Sequence, residues 1–116
     1  LKLSQEISDE IKASISTLIG KPEARKILYT GADGSPTMRI DDVAEKAAIR
    51  ILKENLDSFL LISEEVGNFE IGSPELCVVL DPIDGTLNAA CGIPFYSVAI
   101  GIGTKVKTPT FEDFKS

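Results

Sequence analysis

The stretch that decides the reading is Leu76-Cys77-Val78-Val79-Leu80-Asp81-Pro82-Ile83-Asp84-Gly85-Thr86. Five apolar residues lead into two aspartates spaced three apart, with a proline between them and a Gly-Thr pair behind. A short run that is apolar at every position is the pattern of a strand covered on both faces, central in its sheet. Asp81 leaves the strand and Pro82 stiffens the exit by fixing φ. The expected consequence is that the Ile83 carbonyl turns outward, and that Asp84 returns a second carboxylate to the same point. Gly85 and Thr86 then open a helical turn, whose N–H groups and hydroxyl face the space a phosphate would fill.

A second apolar run lies upstream. Phe59-Leu60-Leu61-Ile62-Ser63 reads as a strand and stops at Glu64-Glu65. Two buried strands thus each end in acids, and ligand sites in open α/β sheets favour the carboxyl ends of strands. Clustered carboxylates repel one another unless cations lie between them. Hard oxygen donors without histidine point to Mg²⁺, with Mn²⁺ as a substitute, rather than to zinc.

The flanking segments complete the architecture. Leu3, Ile7, Ile11, Ile15, Leu18 and Ile19 recur at helical spacing, and Gly20-Lys21-Pro22 ends that first helix. Glu23 to Tyr29 is open between a helical turn and a strand. Thr30 to Met38, with two glycines and a proline, is expected to be a loop. A second helix is expected to start at Asp42, with Glu45 three residues on in a capping-box-like arrangement. Its apolar face is Val43, Ala44, Ala47, Ala48, Ile51 and Leu52, and it ends at Asn55 or Asp57. Phe95 to Ile102 is a third strand candidate. Two helices packed on a mixed sheet make an α+β layered fold.

Bulk composition sets the limits. The chain has 116 residues, no histidine, no tryptophan and a net charge of −6. Without histidine there is no Ser-His-Asp or Cys-His pair and no His-ligated zinc site. The acidic balance excludes nucleic acid and anionic membrane as expected partners, since both need a basic face. Cys77 and Cys91 are too few for a disulfide scaffold, and Cys77 reads as a buried core thiol. No run approaches the roughly 18 apolar residues of a membrane span. No signal peptide is visible, so a cytoplasmic location is expected. The chain begins at Leu1 rather than Met, as expected of a processed, trimmed or excerpted sequence.

Asp81-Pro82-Ile83-Asp84-Gly85-Thr86, with Glu64-Glu65 upstream, resembles the signature of the inositol monophosphatase family. The loop Gly31-Ala-Asp-Gly-Ser-Pro-Thr37 leading into Ile40-Asp41-Asp42 is similar to its archaeal branch, whose members often hydrolyse both inositol 1-phosphate and fructose 1,6-bisphosphate. The resemblance runs from the first helix to about Ile102. It implies a layered α-β-α-β sugar-phosphatase fold, of which residues 1–116 are the N-terminal half. It also implies a lithium-sensitive Mg²⁺-dependent phosphomonoesterase, with two or three metals per site, and a homodimer. Its substrate would be a small-molecule phosphate ester.

On that resemblance Glu64, Asp81, the Ile83 carbonyl and Asp84 match metal ligands, with Asp81 bridging two metals. Gly85 and Thr86 match the phosphate-contacting turn, Thr86 also orienting the attacking water. Asp41 matches an acid that bonds Thr86, and Asp33 one that recruits a third metal and positions the nucleophilic water. Glu65 is expected to act behind these residues. The implied reaction is direct in-line attack by a metal-activated water, without a covalent phosphoenzyme. After Thr86 the chain reads Leu87-Asn88-Ala89, where the family often has Thr-Asn-Phe. Another metal-ligating aspartate and most specificity residues come, in the family, from a C-terminal half. Nothing in Phe111 to Ser116 supplies them, and Asp113 lacks the surrounding motif.

The competing motifs fit less well. A haloacid-dehalogenase-type site spaces its aspartates by two and makes the first a nucleophile, whereas here the spacing is three around Pro82. Gly101-Ile102-Gly103 lacks the last glycine of a dinucleotide fingerprint, since position 106 is Val, and no Gly-Lys-Ser/Thr is present. Two alternatives remain beside the sugar phosphatase. One is a phosphatase of NADP or 3′-phosphoadenosine nucleotides on the same fold. The other is a catalytically incomplete half-domain that binds metal or phosphate.

Overall fold

A computed structural model of the chain describes residues 2–104. Helix α1 (Lys2–Ile15) buries Ile7, Ile11 and Ile15 along one stripe. It ends earlier than its apolar periodicity predicts. Ser16 and Thr17 are poor helix formers, and the Ser16 hydroxyl bonds the Ala13 carbonyl at 2.7 Å. Gly20, at φ +77°, then turns its N–H to the Ala90 carbonyl, 3.0 Å away. Leu18 and Ile19 still pack on the core from this turn.

The ambiguous stretch resolves into a 3₁₀ turn at Pro22–Arg25 followed by β1 (Ile27–Thr30). The expected loop from Thr30 to Met38 is in part a strand: β2 (Pro36–Met38) pairs antiparallel with β1. Only five residues connect them, and the Gly31 N–H closes the turn on the Ser35 carbonyl at 2.8 Å. Helix α2 (Arg39–Asn55) starts three residues before the expected Asp42. The capping acid is Asp41, whose Oδ2 accepts the Met38 N–H at 3.2 Å. Its buried side holds Ile40, Ala44, Ala47, Ala48 and Leu52, and also the acids Asp41 and Glu45.

The four-stranded sheet has the order β4-β3-β5-β6. Strand β3 (Phe59–Ser63) runs parallel to β5 (Leu76–Asp84), with Leu60 opposite Cys77 and Ser63 opposite Leu80. Strand β4 (Gly67–Ile71), absent from the sequence reading, returns antiparallel along β3. Its half-polar sequence, Asn68-Phe69-Glu70-Ile71, suits a strand at the sheet edge. Strand β5 continues past Leu80 to Asp84 through a register slip between Asp81 and Asp84. Helix α3 (Thr86–Ala90) and β6 (Ser97–Thr104) follow, β6 starting two residues later than expected.

Helices α1 and α2 cover one face of this sheet. Phe59, Leu61, Val78 and Leu80 meet Ile7, Ile11, Ile40 and Leu52 there. Leu60, Ile62, Cys77 and Val79 form a second buried cluster on the opposite face, as the unbroken apolar runs require. The architecture is α+β, helices on a mixed sheet. Among the described residues no helix is long and apolar enough to cross a membrane. Ile11 of α1 is fully buried in the core cluster, so Ile11→Ala should cost about 2–5 kcal/mol. Urea denaturation followed by circular dichroism measures this; a loss below about 1 kcal/mol would contradict the packing described.

Candidate active site

The parallel pairing of β3 and β5 sets the site. Because Ser63 lies opposite Leu80, the residues that follow come to the same end of the sheet: Glu64 just past β3, and Asp81, which does not leave its strand as expected but stays paired to Ala99 within β5. Ile83 is buried and Asp84 exposed, so the stretched end of β5 alternates a core contact with a solvent-facing acid. Gly85 caps α3 at φ +94°. A Cβ there would lie 2.9 Å from the Phe95 carbonyl, so backbone conformation and space both select glycine.

Helix α2 reaches this corner from beneath with two acids. Asp41 Oδ1 accepts the Thr86 hydroxyl at 2.7 Å. The Ile83 carbonyl oxygen lies 3.2 Å from the same hydroxyl. Glu45, one turn further along α2, accepts the Ser63 hydroxyl and a Val66 backbone N–H. It therefore clamps the two residues that flank Glu64-Glu65. The sequence reading gave Glu45 only a capping role. Its signal was its place on the inward stripe with Asp41 and Ala48, spaced by four and three.

The β1–β2 loop closes the corner from the other side. Ala32 N–H bonds the Glu65 carbonyl at 2.9 Å, and Asp33 N–H bonds the Glu64 carbonyl at 3.3 Å. Asp33 Oδ1 accepts the Ser35 hydroxyl at 2.6 Å and the Ser35 N–H at 3.0 Å. Thr37, buried on β2, donates its hydroxyl to Glu65. Tyr29 on β1 bonds Asp42 at 3.0 Å, and burial with that bond pushes its pKa up to about 12. Thr37, Ser63 and Tyr29 were not singled out from the sequence, because their partners lie 13 to 28 residues away.

The acids feel one another. Burial raises the Glu64 pKa, and Asp81, Asp33, Asp84 and Asp41 raise it further. Asp81 is raised by burial and then by Asp84, Asp41 and Asp33. Burial likewise raises Asp41 against the bonds from Thr86 and Met38. Glu65 is pushed up to about 7, chiefly by burial, despite its bond from Thr37. Asp33 moves the other way, held down by the Ser35 hydroxyl. Two ion pairs of the described residues, Lys46–Asp42 at 2.9 Å and Arg50–Glu10, lie outside this set. Like charges gathered without a basic partner among the described residues suit a cation. The donors are carboxylate and carbonyl oxygens, the chemistry that Mg²⁺ takes. Among the described residues, however, no three acids already converge as a closed metal cage. Asp113 lies outside the described residues.

This fold and acid-lined corner define a class. The chain matches the model of the inositol monophosphatase family over residues 2–110, and it belongs to that family. It is 46% identical over 105 residues to a bifunctional NADP phosphatase/NAD kinase of Methanococcus maripaludis, covering 89% of this chain and 18% of that protein. It is 40% identical over 100 residues to a fructose-1,6-bisphosphatase/inositol-1-monophosphatase of Archaeoglobus fulgidus, covering 86% of this chain and 38% of that protein. A crystal structure of an inositol monophosphatase–fructose 1,6-bisphosphatase superposes with a TM-score of 0.76 at 33% identity, over 87% of this chain and 39% of that one. The chain thus spans well under half the length of these relatives.

Glu45 generates a pH prediction. Burial is the largest influence on it and raises its pKa. A carboxyl with a higher pKa folded than unfolded contributes most when protonated, and that contribution is lost as pH rises through the folded value. In chelator, the chain should therefore melt at a lower temperature at about pH 8 than at about pH 5. Glu45→Gln, which keeps one acceptor for Ser63, should shrink that difference. Melting curves across this range test it, and an unchanged difference would remove Glu45 from the account.

Proposed function

We propose that this chain is the N-terminal part of the catalytic domain of a metal-dependent phosphomonoesterase acting on sugar and polyol phosphates, inositol 1-phosphate and fructose 1,6-bisphosphate foremost. The observation that carries the reading is the register of β3 against β5, which brings Glu64 and the Asp81–Asp84 turn to one end of the sheet. Glu64, Asp81, the Ile83 carbonyl and Asp84 would hold two or three Mg²⁺ ions, or Mn²⁺. When bound, these ions would neutralise the phosphate and stabilise the leaving oxygen.

The chain's own residues would do the rest. The Thr86 hydroxyl, aimed by Asp41, would orient the attacking water together with Glu64. The N–H groups of Gly85 and Thr86 would contact the phosphate. Asp33, fixed within its loop by Ser35, would help place the water. The remaining ligands and specificity residues would come from the part of the catalytic domain that the relatives carry beyond this match, and the whole protein would work as a cytoplasmic homodimer. A second reading, phosphate removal from NADP, is favoured by the 46% identity to the bifunctional archaeal protein.

Phosphate release from inositol 1-phosphate, fructose 1,6-bisphosphate and NADP, each with and without Mg²⁺, tests both readings in the full-length protein. Release from the first two is expected to depend on Mg²⁺ and to fall about 10²-fold or more in Asp84→Asn. Thr86→Val should lower kcat with little change in KM. NADP as the best substrate would select the second reading. Cation binding without turnover of any ester would leave a binding half-domain and reject the enzyme. Activity indifferent to Asp84→Asn would reject the assigned site.

A further inference from the structure

Thr37 is fully buried at the foot of the β1–β2 hairpin. A buried hydroxyl donating to a half-buried carboxylate is a committed contact, since losing the donor leaves the acceptor without its partner. The contact joins two pieces of chain 28 residues apart, the hairpin and the β3–β4 corner. The loop next to it lies along the same corner through the Ala32–Glu65 and Asp33–Glu64 backbone bonds. Within the loop, Asp33 is tied to Ser35 by two bonds, and Gly31 to Ser35 by one. Residues 31–35 are thus bonded among themselves, and the Ala32 and Asp33 bonds tie them to Glu64-Glu65.

Gly31 shows how closely the parts fit. A Cβ placed on it would lie 2.9 Å from Thr37 Oγ1, 3.0 Å from Glu65 Oε2 and 3.4 Å from Asp33 Oδ1. All three are side-chain ends that can move. Gly31 is not among the positive-φ glycines, so alanine there meets crowding without backbone strain.

We propose that the Thr37–Glu65 hydrogen bond is a latch that holds the Asp33 loop against the Glu64-Glu65 corner. Thr37 and Glu65 are thereby positioning residues for the phosphatase reaction. The assignment rests on the function proposed above for its catalytic meaning, and on the geometry alone for the latch. Releasing Thr37 frees the hairpin loop while the sheet, whose strands pair independently of it, stays intact.

Amide hydrogen exchange of the chain reads the latch without any turnover. Thr37→Val keeps the shape and deletes the hydroxyl; Thr37→Ser keeps the hydroxyl. Exchange at Ala32 and Asp33 should quicken about tenfold or more in Thr37→Val and in Gly31→Ala, while Leu61 and Val78 stay as slow as before. Thr37→Ser should restore slow exchange. In the full-length protein Thr37→Val should lower kcat about tenfold with substrate KM little changed, and Thr37→Ser should recover it. Unchanged exchange at Ala32 and Asp33 in Thr37→Val, or acceleration of core and loop together, overturns the latch. Quickened exchange with unaltered kcat overturns the positioning role. If the unaltered protein releases no phosphate while the exchange pattern holds, the function falls and the latch stands.

Discussion

The parallel pairing of β3 with β5 is the constraint on which the rest depends. Side by side and in the same direction, the two strands deliver Glu64 and Asp81 to a common edge. Their charges could not be brought together by either strand alone. The energy for doing so comes from the apolar runs behind them, since Phe59, Leu61, Val78 and Leu80 are all buried against α1 and α2. A core that would otherwise only stabilise the sheet also offsets repulsion among five carboxylates. Burial first, and that repulsion second, raise the pKa values of Glu64 and Asp81.

Helix α2 has a mixed role that follows from its sequence. Its inward stripe carries three alanines, Ala44, Ala47 and Ala48, all fully or nearly buried. Small residues bring the helix close to the sheet. That closeness lets Asp41 reach Thr86 and Glu45 reach Ser63. Both acids are raised by burial and partly compensated by hydrogen bonds. The acids at the end of the sheet are thus supported by acids that face the core. The hairpin closes the remaining side, so the Glu64-Glu65 corner is held from three directions by α2, β2 and the Asp33 loop.

The long apolar runs and the Asp-Pro-Ile-Asp-Gly-Thr turn were legible directly. Strands covered on both faces must be apolar throughout, and the turn admits few other sequences. The helix stripes were legible for the same reason, though their ends were not. Helix α1 stops at Ile15, short of its apolar stripe, where Ser16 and Thr17 favour a turn, and the chain beyond is set by the bond from Gly20 to Ala90, a residue 70 positions away. Helix α2 starts early because Asp41, not Asp42, takes the capping bond. Strands β2 and β4 were missed because each is short and at an edge, where pairing rather than residue pattern makes the strand.

The sequence by itself determined the class of fold, the set of acids and the glycine and proline between them, because each of these is a local demand of backbone shape or residue chemistry. Only the tertiary structure decided which acids meet and which support them. Glu45 looked like a cap and is a buried clamp; Thr37 looked like part of a loop and is a buried donor to Glu65. Both roles depend on partners 18 and 28 residues distant. Contacts of that range come from strand register and helix packing, which no local pattern specifies.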